Sequence, residues 1–270
     1  AGQRNTQHAT NIKKRSMRRK KARRMRRIKR IFVAAIILLV VFAAGRTSFV
    51  QGFLNHWNVK SEATLTAEGY PESLVQLYEK NEEARQFVLD YKKNGNNEQP
   101  IDISSDVTDG KIPLFLQWDE RWGYRTYGDN FLAITGCGPT ALSMVYVGLT
   151  GDTSMNPYAV AQMAQEDGFY VNGSGSSWSM MTELATKLGL SAQELSLNED
   201  SIRQELSQGH PIICIMGPGD FTTSGHFVVL TGVDSEGKIT VNDSNSKKNS
   251  NKAWKIEDLM SQIRDLWVYQ

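Results

Sequence analysis

Asn198-Glu199-Asp200-Ser201-Ile202-Arg203-Gln204-Glu205-Leu206-Ser207-Gln208-Gly209-His210-Pro211-Ile212-Ile213-Cys214-Ile215-Met216 contains the change of period on which the fold turns. Asn198 caps a helix from Glu199 to Gln208 and Gly209 ends it, whereas Ile212–Met216 is an unbroken apolar run of strand length. Upstream the pattern is helical: Cys137–Val147 with Pro139 in its first turn, Pro157–Asp167 capped by Asn156 and stopped by Gly168, and Trp178–Leu188. Downstream, Phe227–Val233, Lys238–Val241 and Leu266–Tyr269 are rich in β-branched and aromatic residues and read as strands, with one short helix, Ile256–Ile263, before the last. Helices first and strands after predict an α+β domain over residues 111–270, a helical half and an antiparallel half meeting at a cleft.

The 270 residues are 40% apolar and 22% charged, with 22 Gly and 7 Pro, which excludes collagen-like, disulfide-knot and wholly disordered chains. A net charge of +2 conceals two unlike parts. Residues 1–30 hold 14 Lys/Arg and no Asp/Glu, leaving 17 basic against 29 acidic residues in 31–270, a net of −12. An acidic body repels phosphates, so no nucleic-acid partner is expected. The basic block abuts Ile31–Gly45, 15 uncharged residues, about 22 Å as a helix against a hydrocarbon core of about 30 Å. Arg30 and Arg46 can snorkel, and Phe49, Val50, Phe53, Leu54 and Trp57 suit an interfacial belt.

Residues 31–50 therefore read as a single transmembrane signal anchor, with 1–30 as a cytoplasmic tail against anionic inner-leaflet lipid. The main alternative is a secreted protein, cleaved near Val41-Phe42-Ala43, and a third reading is a buried helix of a soluble domain. The two leading readings put the rest outside the cytoplasm. Residues 51–69 read as a stalk. Residues 70–93 read as one amphipathic helix opened by Pro71, with Leu74, Leu77, Tyr78, Ala84, Val88 and Tyr91 on its apolar stripe, and 94–110 as a linker.

Chemistry concentrates at three points. Cys137, in Gly136-Cys137-Gly138-Pro139-Thr140, opens a helix, where unpaired N–H groups and the macrodipole favour a thiolate. Its own N–H can donate to an oxyanion, and the flanking glycines would let a substrate backbone come close. The plainer reading is a cysteine tucked under a tight turn. Of the four histidines, His8 lies in the basic tail, His56 in the stalk and His210 in a turn, whereas His226 follows a Gly-rich loop and starts a strand. If Val233 pairs with Lys238 across the loop Asp234–Gly237, Asp243 lies opposite Val228 and Asn245 opposite His226. Asp243 then shares the face of His226 at a diagonal Cβ separation of roughly 7 Å. From spacing alone Asp243 reads equally as an aspartate ending a strand. Cys214, inside its apolar run, reads as a buried small hydrophobe, and a 137–214 disulfide is the alternative in an oxidising compartment.

Gln117-Trp118-Asp119-Glu120-Arg121-Trp122-Gly123, the Cys137 motif, Gly225-His226-Phe227-Val228-Val229 and Val241-Asn242-Asp243-Ser244-Asn245 together resemble the stand-alone relatives of the bacteriocin-processing, double-glycine-leader cysteine peptidases, a papain-like group. The resemblance spans about Lys111–Gln270, and Tyr70–Tyr91 is similar to a helix that often precedes these domains. It implies a papain-like fold, a peptide or protein substrate, Cys137 as nucleophile, His226 as base, Asp243 as orienting residue and Gln117 as oxyanion donor. Ser244 stands where the group commonly has proline, which leaves Asn245 as a rival orienting residue. Trp118 and Trp122 are expected in the core.

The expected function is a membrane-anchored extracytoplasmic cysteine peptidase with a Cys-His-Asp triad. A cell-wall amidase or endopeptidase with the same triad and an inactive peptide-binding scaffold are the alternatives. No cofactor is expected, and no His/Asp/Glu cluster has zinc spacing. Gly232–Lys238 matches the start of a phosphate-binding loop, but Ile239 replaces the required Ser/Thr and strands flank it, so it reads as a hairpin turn without ATP.

Overall fold

A computed structural model describes residues 60–270; the basic tail, the signal anchor and the stalk up to residue 59 lie outside the described residues. Among the described residues no helix is long and apolar enough to cross a membrane. Ser61–Gln270 form one compact unit.

The sheet is five-stranded and antiparallel, in the order β5-β9-β6-β7-β8: β5 (Ala192–Glu194), β9 (Ile263–Tyr269), β6 (Ile212–Met216), β7 (His226–Val233) and β8 (Ile239–Asp243). Because side chains alternate along a strand, β6 sends Ile213 and Ile215 into one core and Ile212, Cys214 and Met216 into another. Both faces are covered. On the first lie α5 (Cys137–Thr150), α6 (Pro157–Glu166) and α7 (Met180–Lys187); on the second lie α8 (Glu199–Ser207) and α10 (Ile256–Met260). The expected helical half is thus one layer of two. The helix expected over Ile256–Ile263 stops at Met260, and Ile263 already belongs to β9.

Helix α5 is apolar nearly all round and buried along most of its length, as a helix must be when neighbours surround it. Helix α4 (Leu132–Thr135) runs into it through Gly136. The hairpins β1 (Thr126–Tyr127) with β2 (Asn130–Phe131), and β3 (Tyr170–Val171) with β4 (Gly175–Ser176), flank its first turn.

The N-terminal segments differ from expectation. The single helix over 70–93 is two, α2 (Glu72–Lys80) and α3 (Arg85–Asn94), separated by a 3₁₀ turn, Glu82–Ala84. Asn81 is extended (φ −129°, ψ 100°) and its side chain accepts from Glu83 N, so it caps the second segment and breaks the first. Part of the expected stalk is helical, α1 (Glu62–Ala67), with Leu65 fully buried. The expected linker contributes Ile103 to the main core, so it is packed rather than free. Helices α1 to α3 share a third apolar cluster with Trp118, Tyr124 and Ala133.

Candidate active site

Cys137 is the first residue of α5, half-buried, and both cysteines are free thiols. The sheet lies between them, since Cys214 points into the core on its other face. The glycines beside Cys137 allow close packing around it. A Cβ on Gly138 would sit 2.7 Å from Ser176 Oγ, and one on Gly136 would sit 2.5 Å from Leu132 O. They let α4 and β4 close around the start of the helix.

His226 begins β7 and is 6% exposed; Asp243 ends β8 and is 1% exposed. The β7–β8 ladder pairs Val228 with Asp243, as the spacing predicts, by a different route. Val233 pairs with Ile239, one residue later than expected, and a bulge between Leu230 and Gly232 takes the extra residue back. The longer turn is built by Asp234, whose Oδ1 accepts from Glu236 N and Lys238 N, and by Gly237 at φ 79°. Two departures cancel, and the pairing at the site is unchanged.

His226 Nε2 lies 2.7 Å from Asp243 Oδ1. An ionised carboxylate only accepts, so Nε2 carries the proton and the other ring nitrogen is left for the Cys137 sulfur beside it. Asp243 also accepts from Asn245 N at Oδ1 and from Asn249 Nδ2 at Oδ2, each at 2.8 Å. The side chain of Asn245, the rival orienting residue, instead accepts from Asn81 Nδ2 at 2.9 Å. Sequence reasoning missed Asn249 and Ser250, whose Oγ accepts from Asp243 N at 2.9 Å. Both lie on α9 (Lys247–Ser250), and Ser246, whose Oγ accepts from Asn249 N, was the capping signal that could have found it.

Burial of Cys137 opposes its ionisation, but the hydrogen bond and charge of His226, with the N–H groups of Phe227 and Gly138, hold its pKa below that of an ordinary thiol. Burial likewise opposes the charge on His226, and Asp243 and Cys137 together raise its pKa well above the usual range. For Asp243, burial is outweighed by His226, Asn249 and Asn245, and its carboxyl is held low. Cys214 has no such partner: burial and the charge of Asp265 push its thiol far up.

Gln117 is buried, donates from Nε2 to Ala133 O at 2.7 Å and accepts from Ser244 Oγ at 3.0 Å. It therefore ties the segment before Cys137 to the residue after Asp243, with one Nε2 hydrogen uncommitted. It also lines a cavity of about 720 Å³ whose other walls include Gln76, Lys80, Ile134 and Asn245; Cys137 and His226 do not line it. Trp122 is fully buried, and Trp118 donates from Nε1 to Asn245 O. His210 pairs with Glu205 away from the site. Among the described residues, no group of His, Cys, Asp and Glu could hold a metal ion.

Among solved structures, the peptidase domain of Streptococcus ComA, a bi-functional ABC transporter involved in a quorum-sensing pathway, is similar at 20% identity and a TM-score of 0.38, over 50% of this chain and 89% of that one. No curated protein matches. The Peptidase_C39 like family matches residues 110–270. That stretch carries the cysteine, the histidine and the aspartate and takes in more than half of the chain, which belongs to the Peptidase_C39 like family and is a cysteine peptidase.

Proposed function

We propose that the chain hydrolyses peptide bonds through Cys137, His226 and Asp243, with Gln117 assisting at the oxyanion. The observation that carries this reading is the 2.7 Å contact between His226 and Asp243 with the Cys137 thiol beside the same imidazole. In this mechanism the Cys137 thiolate adds to the peptide carbonyl, and the developing oxyanion is met by the Cys137 N–H and the uncommitted Nε2 hydrogen of Gln117. The C–N bond breaks as imidazolium His226 gives its proton to the leaving amine. His226 then takes a proton from water, which cleaves the thioester and releases the acid.

The setting we propose is extracytoplasmic and membrane-anchored. It is supported by the 14 basic residues of 1–30 followed by an apolar run. Protease added outside intact cells should remove the domain while the tail stays protected; recovery of a secreted form beginning near Ala44 would replace anchoring with cleavage. For the triad, a thiol-reactive peptide probe should label Cys137 in the native protein well below about pH 8.5. The same label should be lost in His226→Ala. Equal labelling of both proteins would leave an unactivated thiol and favour a scaffold.

A further inference from the structure

Asp243 is oriented by groups from Asn245 and Asn249, on the turn and short helix that follow it. That segment is in turn gripped from outside the family-matching residues 110–270, at the junction of α2 and α3. Asn81 Nδ2 donates to Asn245 O at 2.8 Å and to Asn245 Oδ1 at 2.9 Å. Glu83 accepts three hydrogen bonds, from Ser246 Oγ at 2.6 Å, Lys247 N at 2.9 Å and Lys248 N at 3.3 Å. The same junction is where the expected single helix breaks, so the extended conformation of Asn81 brings both side chains to the segment behind the carboxylate.

We propose that Asn81 and Glu83 are positioning residues of the active site, holding Asn245–Asn249 so that the carboxylate of Asp243 stays aimed at His226. This rests on the triad reading above. A role limited to gluing the helical unit to the domain would affect stability alone. A positioning role also reaches the sulfur. Without the grip, Asn245 N–H and Asn249 Nδ2 leave their places, Asp243 can swing, and the imidazolium loses the partner that sustains the thiolate. The titratable groups that interact with the Cys137–His226 pair are Asp243 on β8 and Tyr127 on β1; at the grip Lys247 and Lys248 contribute backbone N–H groups, and the Lys247 ammonium lies over the Trp118 ring.

The test is the pH dependence of Cys137 alkylation by iodoacetamide in the full chain, which needs no substrate. For Glu83→Ala we expect the midpoint of the thiolate titration, read from the alkylation rate against pH, to move up by about one unit, a roughly tenfold fall in rate at pH values below the wild-type midpoint. Glu83→Gln, which keeps one acceptor oxygen but turns an N–H₂ toward a donor, should lie between Ala and wild type. Val75→Ala, which thins the same helical unit in its apolar cluster away from the grip, should lower Tm and leave the profile in place. If wild type shows a depressed thiolate titration and both Glu83 variants share it, the grip proposal is overturned and the triad stands. A profile that moves equally in Val75→Ala overturns it too. If wild type itself alkylates like a free thiol, the triad reading fails and takes this proposal with it.

Discussion

Asp243 accepts three hydrogen bonds, from His226, Asn245 and Asn249, and this sets what each substitution loses. Asp243→Asn keeps one acceptor oxygen and turns an amide N–H₂ toward a donor, whereas Asp243→Ala leaves the imidazole free to rotate. The loss in kcat/KM should be modest for Asn and a good part of about 10² to 10⁴ for Ala, the span of positioned acid–base catalysis. Asn245→Ala should be milder than Asp243→Ala, because its N–H contact survives and its side chain serves Asn81. In the proposed mechanism, thiolate and imidazolium must be present together. In a pH profile, kcat/KM should rise through the depressed pKa of Cys137 and fall again only as pH climbs through the raised pKa of His226, about 10. A rise at the ordinary thiol pKa would contradict the ion pair. Gly138 gives a packing test. Ser176, which a Cβ there would strike, is held by Tyr127 at 2.8 Å and cannot easily yield. Gly138→Ala should cost about 1–3 kcal/mol, read as a lower denaturant midpoint.

At the scale of elements, capped helices were the most legible part of the sequence. Asn156 and Asn198 each accept from the first turn of the helix they were expected to start, because a cap is a local signal. The hairpin was only partly legible. Val228 opposite Asp243 followed from a turn assumed one residue too short, and the bulge restored the pairing; the true turn length depends on the Asp234 side chain bonding forward to Lys238 N, which spacing does not encode. The bulge at Thr231 also separates tip from site. Gly237→Ala, which forces a Cβ into φ 79°, should therefore destabilise by roughly 1–2 kcal/mol while leaving kcat/KM within about twofold. A large loss of activity there would mean that the bulge does not isolate the two ends. Strands of two or three residues, such as β3 and β5, were invisible because so short a run has no period to detect. The break at Asn81 was visible as a cap followed by two acidic residues, yet the apolar stripe runs on across it and masks it.

For the whole molecule, the covering of the sheet on both faces was the feature least accessible to sequence order, since α8 and α10 join the face away from Cys137 only through tertiary contacts. The candidate constellation of Cys137, His226 and Asp243 was readable through its place in glycine-rich turns and at strand ends and through the resemblance those motifs carry. Its supports, Asn81, Glu83 and Asn249, come from segments with no chemical signature of their own. The double cover has a further use. Cys214 lies between the sheet and helices α8 and α10, and that layer must part before a reagent can touch it. Once Cys137 is blocked, slow modification of Cys214 becomes a clock for the rare openings of the folded chain. Its rate, divided by that of a free thiol at the same pH, gives the free energy of those openings in plain buffer, without any denaturant.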